Sequence, residues 1–183
     1  GFANGGAVTI NDCMVVNAHI TGTGGNNIGC FVGANYGNSS GTTVSSCGAT
    51  GTISGNYPGG FGGNCQYETF NRCYFAGTIT GSPMGGIAAY SGTINNSYSN
   101  VTASGGASGT VLTDSAMRDA SFITSLDSTF KVDPGFNNGF PVKSWMNYKV
   151  LVEGNIQICT GESTTLTAHD TTATYAWSTG ATT

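Results

Sequence analysis

Charge is what this chain has least of. Only 8% of its 183 residues are Asp, Glu, Lys or Arg, and five cationic side chains against nine acidic ones leave a formal net charge of −4. So few cations cannot neutralise a phosphate backbone, which excludes nucleic acid as a partner. No apolar run approaches the roughly 20 residues that a membrane-spanning helix needs, so no membrane insertion is expected. Proline is scarce at four residues, and the 30 glycines follow no three-residue period, which excludes collagen. Neither a CxxC nor an HxxxH spacing occurs, so neither zinc nor any cofactor is expected. The opening GFANGG has no initiator Met, basic region or apolar leader, so we expect a piece of a longer polypeptide.

What is present can build a core. Hydrophobic residues make up 38% of the chain and aromatics 10%, unlike the charged composition of disorder. Glycine is dense in GTISGNYPGGFGGN, residues 51–64, and would weaken a single helix or an ordinary sheet. That stretch recurs in variant form. Segments 1–22, 27–55, 57–81 and 83–105 share a Gly-rich opening, an apolar-Asn or apolar-Ser step, a small residue and a GTITG-like close.

Aligned, these segments form columns: Phe31, Phe61 and Ile87, with Phe2 a fourth member; Ile10, Val44, Phe70 and Ile94; Cys13, Cys47, Cys73 and Ser97; Ile20, Ile53, Ile79 and Ala103. The Cys/Ser column recurs at spacings of 34, 26 and 24 residues, in the range of repeat arrays whose units bury their apolar faces by stacking. Short alternating runs such as Thr78-Ile79-Thr80 predict strands with one face inward. The expected fold is all-β: a parallel β-helix of about four irregular coils, spaced by about 4.8 Å, with glycines at the corners.

GGFGGN, INNSYSNVTASGG and RCYFAGTITG resemble GLUG-motif repeats, well over 27–105 and in part over 1–22, where one extra residue precedes Ile20. The resemblance implies a β-solenoid in a large secreted or surface protein of bacteria, often adhesin-like. It implies no catalytic residues.

Domain 1–105 is thus the repeat region, and 106–147 is read as its carboxy-terminal cap. DSAMRDASFITSLDSTF has the apolar spacing of an amphipathic helix or irregular cap, opened by Asp114 or Ser115. FNNGFPVKSW resembles the tail that follows GLUG repeats. The remainder, 148–183, resembles the start of an immunoglobulin-like or PKD-like sandwich, modules frequent in Bacteroidetes proteins exported by the type IX system. Such a domain needs about 80–100 residues. We therefore expect a partial domain here, with Cys159 separated from any partner.

Within 1–105 the charged side chains are Asp12, Glu68 and Arg72, too few for the clustered carboxylates of a polysaccharide-cleaving enzyme. Cys13, Cys47 and Cys73 read either as stacked small core residues or as bridges between neighbouring coils. Cys30 and Cys65, near corresponding corners, are the more attractive disulfide pair. Asn11, Ser45, Asn71 and Asn95 predict a hydrogen-bonding ladder. Tyr74 and Tyr98 share an outward column, which would either pack on its neighbours or stack on sugar rings. DSA, DST and DTT match an O-glycosylation pattern of exported Bacteroidetes proteins, pointing to Ser115, Ser128 and Thr171. The expected role is non-catalytic: an extracellular structural or adhesive segment at the bacterial cell surface, with a link to gliding. Its partners would be glycans, abiotic surfaces and neighbouring domains of the same chain. A carbohydrate-binding module is the alternative, and a β-helix enzyme ranks after it.

Overall fold

The computed structural model describes residues 8–34, 41–90 and 92–146, with backbone alone at 25–26, 152–153 and 167–168. Phe2, Cys159 and Thr171 lie outside the described residues. The chain divides into two compact units, Gly1–Met146 and Asn147–Thr183.

The first unit is mostly β, and its main sheets are parallel. The chain runs through β1 (Thr9–Asn11), β2 (Met14–Ile28) and β3 (Val32–Ala34), then β4 (Thr43–Ser45), β5 (Gly48–Pro58) and β6 (Gly62–Asn64). A third pass supplies β7 (Thr69–Asn71), β8 (Tyr74–Thr80) and β9 (Ala88–Tyr90); a fourth supplies β10 (Thr93–Asn95) and β11 (Tyr98–Ser99), before β12 (Thr110–Val111). Equivalent strands pair, giving one sheet in the order β1-β4-β7-β10, a second in the order β12-β11-β8-β5-β2 and a third in the order β3-β6-β9. Most members of the predicted columns coincide with the strand register. Ile10 faces Val44, Val44 faces Phe70 and Phe70 faces Ile94, while Ile20, Ile53 and Ile79 align in the second sheet. The Phe31 and Phe61 rings stack with centroids 4.8 Å apart.

One core cluster takes side chains from all three sheets, including Val44, Ile53, Phe61, Phe70, Phe75 and Ile87. A second cluster lies on the other face of the second sheet. There Tyr74 and Ala76 meet Met117, Phe122, Leu126, Phe130 and Phe140. The covering layer consists of α1 (Asp114–Arg118), α2 (Phe122–Leu126), the antiparallel pair β13 (Phe130–Lys131) and β14 (Val142–Lys143), and a 3-10 turn at Asn137–Gly139. Two short helices stand where one amphipathic helix or an irregular cap was expected, because Asp119 turns extended and its carboxylate accepts the Ser121 N–H at 2.8 Å. The first helix is capped by Thr113, whose hydroxyl accepts the Ala116 N–H at 3.2 Å, and not by Asp114 or Ser115.

Three local expectations need correction. Ala103 does not continue the Ile79 column, because the fourth pass leaves the second sheet after Ser99 and the Asn100 side chain accepts the Gly77 N–H in place of a strand carbonyl. Stacking also continues past 105: the Ile87 N–H reaches Ala107 O at 2.9 Å and the Leu112 N–H reaches Ser99 O at 2.9 Å. Finally, the corner between the first and second sheets turns on Asp12, Ser46, Arg72 and Asn96, all at positive φ, and not on glycine.

Glycine is required at the corner between the second and third sheets, where a Cβ on Gly60 would lie 2.1 Å from Gly86 O, and inside the strands as well. Gly51, in β5, has φ +144, and a Cβ there would lie 2.1 Å from Ala18 O. Gly51→Ala is therefore expected to cost more than about 2 kcal/mol. Chemical denaturation checks this, and an unchanged midpoint would contradict the packing.

The second unit contributes a described antiparallel pair, β15 (Val152–Glu153) with β16 (Thr167–Ala168).

Candidate functional site

Two grooves follow from how the strands stack. The first crosses the outer face of the second sheet, a cavity of about 350 Å³ lined by Asn17, His19, Thr52, Thr78, Asn138 and Phe140 among others. Alternation along β2, β5 and β8 aligns His19, Thr52 and Thr78 side by side. Asn17 enters the groove through a bulge, since Val16 and Asn17 together oppose Thr50 alone. The extra residue seen before Ile20 is this bulge. Its backbone is held where the Asn17 N–H donates to the Thr50 hydroxyl at 3.1 Å, which in turn donates to Asn137 Oδ1 at 2.6 Å. The lining offers hydroxyl, amide and imidazole groups without a charged side chain. Phe140 contributes little surface, being 6% exposed with the Arg118 guanidinium 4.3 Å above its ring.

The second groove lies at the corner between the first and second sheets, a cavity of about 240 Å³ lined by Ser45, Ser46, Asn71, Arg72, Asn95 and Asn96. Ser45, Asn71 and Asn95 of the predicted ladder run along it, with Asn11 next in register beside Ser45. Asn95 Nδ2 donates to Asn71 Oδ1 at 2.9 Å, and Asn71 Nδ2 donates to Ser45 Oγ at 3.5 Å. The left-handed residue of each pass follows directly, held by Asp12 N–H to Ser45 O at 3.2 Å, Ser46 N–H to Asn71 O at 2.9 Å and Arg72 N–H to Asn95 O at 3.1 Å.

Tyr74 is not exposed for stacking on a sugar. Tyr74 points away from the main core, as alternation requires, but the covering layer buries it completely. Its ring meets Phe122 and Phe130 edge-on at 6.0 and 5.8 Å, its hydroxyl donates to Pro141 O, and Asn137 Nδ2 donates to that hydroxyl at 3.3 Å. Burial pushes the phenol well above its usual range. Tyr98 is half-buried, edge-on to Phe122 at 5.2 Å. The reason is the second cluster: a face turned from one core is here the face of another.

An ionic network joins the covering layer to the first pass. Lys143 is fully buried, with its Nζ 2.9 Å from Asp12 Oδ1, donating to Thr129 Oγ1 at 2.6 Å and 3.5 Å from the Phe130 ring centroid. Trp145, 57% exposed, donates its indole N–H to Asp12 Oδ2 at 3.0 Å. Ser46 donates to Asp127 Oδ2 at 2.5 Å. The bond from Lys143 holds the Asp12 carboxyl below its usual range. Burial would raise Asp127, but hydrogen bonds from Ser46 and Thr129 outweigh it and lower it as well. Sequence reading missed this network, since a Lys in a short polar-flanked strand looks solvent-facing. Glu68 is 1% exposed and accepts the Tyr67 N–H at 3.2 Å. Asp12 and Glu68 thus do not form a carboxylate pair.

All five described cysteines are free thiols. Cys47 and Cys73 sit in the main core, where the Cys13 N–H donates to Cys47 Sγ at 3.4 Å and the Cys73 N–H to the Ser97 hydroxyl at 3.1 Å. The bond with Cys73 draws the Cys47 thiol down to about 7. Cys30 and Cys65 are not a disulfide. Cys30 precedes β3 and lies beside Gly60, whereas Cys65 follows β6 and lies beside Tyr90, so the two do not occupy equivalent places in their passes. Burial pushes the Cys30 thiol up to about 12 and Cys65 higher still. Both should therefore resist iodoacetamide at pH 8 in the native chain and react after unfolding, as read by peptide mass. A Cys30–Cys65 cystine in unreduced peptides would refute this placement.

Ser115 and Ser128 are exposed on the covering layer. Among the described residues, no cluster of three or more His, Cys, Asp or Glu side chains could hold a metal, and no helix is long and apolar enough to cross a membrane. The chain matches no known protein family, no curated protein and no solved structure.

Proposed function

We infer that this chain is a non-catalytic structural or adhesive segment of an extracellular bacterial surface protein. In this reading residues up to about 112 form a parallel β-solenoid, the following layer is its cap, and 148–183 begin an immunoglobulin-like module. The carrying observation is that three passes visit the three sheets in the same order and a fourth repeats the first two, with equivalent residues in register. Stacking of that kind extends along one axis and presents long repeated faces, the geometry of a spacer or adhesive wall. The GLUG resemblance of the repeats points the same way. Asp12 engaged by Lys143 and Trp145, and Glu68 turned inward, favour a scaffold over a hydrolase.

The polar grooves favour a second reading, a carbohydrate-binding module whose hydroxyl and amide groups bond sugar hydroxyls. Beads coated with the purified chain test both. The inferred role requires retention on glycan-coated or abiotic surfaces without release of reducing ends. Retention confined to one defined sugar would favour the module, and cleavage of any polysaccharide would overturn the non-catalytic reading.

A further inference from the structure

Arg72 is an anomaly at the corner groove. It is the only Lys or Arg between residues 1 and 105, yet it stands at φ 51, a left-handed conformation that Asn and Asp adopt cheaply and long side chains rarely do. Its column mates Asp12, Ser46 and Asn96 include two residues suited to that turn. Asp12 is held by Lys143 and Ser46 by Asp127. The Arg72 guanidinium, exposed and lining the groove, has no ion-pair or hydrogen-bond partner among the described residues. A costly backbone position kept for an unpaired cation points to a ligand that supplies the anion.

The neighbours define the rest of that ligand. The ladder uses one N–H of Asn95 and one of Asn71, which orients both amides, while among the described residues the second N–H of each and Asn95 Oδ1 are open. No apolar side chain lines this groove. It therefore lacks the buried apolar or aromatic anchor on which peptide recognition depends, and one cation cannot hold a nucleic acid. We propose that the corner groove binds a carboxylate-bearing glycan, with a uronic-acid carboxylate on the Arg72 guanidinium and ring hydroxyls on Asn71, Asn95 and Asn96. The planar fork of Arg matches the two oxygens of a carboxylate, and amides already held by the ladder are oriented before the sugar arrives. The inference rests on the adhesive reading and gives it a site and a ligand class.

Affinity electrophoresis of the whole chain tests it, with polygalacturonate, dextran sulfate, polyglutamate and neutral dextran in separate gels. Polygalacturonate should retard the chain. Arg72→Asn should weaken that retardation about tenfold or more, the loss of one charge-assisted pair, with its melting temperature kept because Asn suits the turn. Arg72→Lys should fall between, having charge without the fork. Ser125→Ala, exposed on the covering layer and lining neither groove, should change nothing. Equal retardation of Arg72→Asn and the parent overturns the inference. So does stronger retardation by polyglutamate or by dextran sulfate, which would assign the groove to acidic peptides or sulfated chains. Retention on neutral dextran that ignores Arg72 would remove this site but keep the adhesive reading, whereas no retention on any polymer or surface would remove both.

Discussion

Tyr74→Ala should destabilise the protein by about 3–5 kcal/mol, the usual cost of truncating a buried aromatic, and lower its melting temperature by roughly 10 °C or more. The ring is fully buried between the second sheet and its cover, in edge contact with Phe122 and Phe130. Removing it leaves a cavity at the centre of the second cluster and strips Pro141 O and Asn137 of a partner. Tyr74→Phe isolates the polar part and should cost about 1–2 kcal/mol. Differential scanning calorimetry on both variants checks the pair. A near-normal melting temperature for Tyr74→Ala would mean that the cover does not pack on this sheet, and would reopen the tyrosine column as a binding surface.

The second large effect concerns Asp12. Asp12→Ala leaves the ammonium of a fully buried Lys143 without its counter-ion. Breaking a buried pair costs about 3–5 kcal/mol. The Asp12 side chain is 44% exposed, so water screens part of that, and about 1–3 kcal/mol is expected. Lys143→Met should cost less than Asp12→Ala, and adding it to Asp12→Ala should recover much of the loss, because no buried ammonium is then left without its counter-ion. Acid should have a related effect. Asp12 and Asp127 both titrate below their unfolded values, so their stabilisation is fully present above the unfolded carboxylate range near pH 4 and is lost as pH falls through the depressed folded values. Urea midpoints between pH 6 and pH 2.5 should fall more steeply for the parent than for the double variant. Parallel curves would show that the pair contributes nothing measurable.

The interior columns were legible in the sequence because parallel in-register stacking places equivalent residues of each repeat against one another. Self-similarity then lists the contacts directly, as it does for Ile10, Val44, Phe70 and Ile94, and for the Asn71–Asn95 rung of the ladder. Even the bulge at Asn17 was visible, as one surplus residue. Where repetition stops, so does this legibility. Cys30 and Cys65 look equivalent by eye, but the register sets Cys30 beside Gly60, and Ala103 drops out because Asn100 ends the pairing early.

The sequence by itself determined that the chain is β-rich, repetitive, charge-poor and alternating, since each property is local or recurs at a fixed spacing. Alternation assigns a side chain to a face, but it carries no information about what covers that face. Only the tertiary structure decided that Tyr74 is core, that Lys143 is buried against Asp12, and that the Arg72 guanidinium has no partner among the described residues. Those outcomes depend on segments with no repeat relation to one another, brought together by packing that no local pattern encodes.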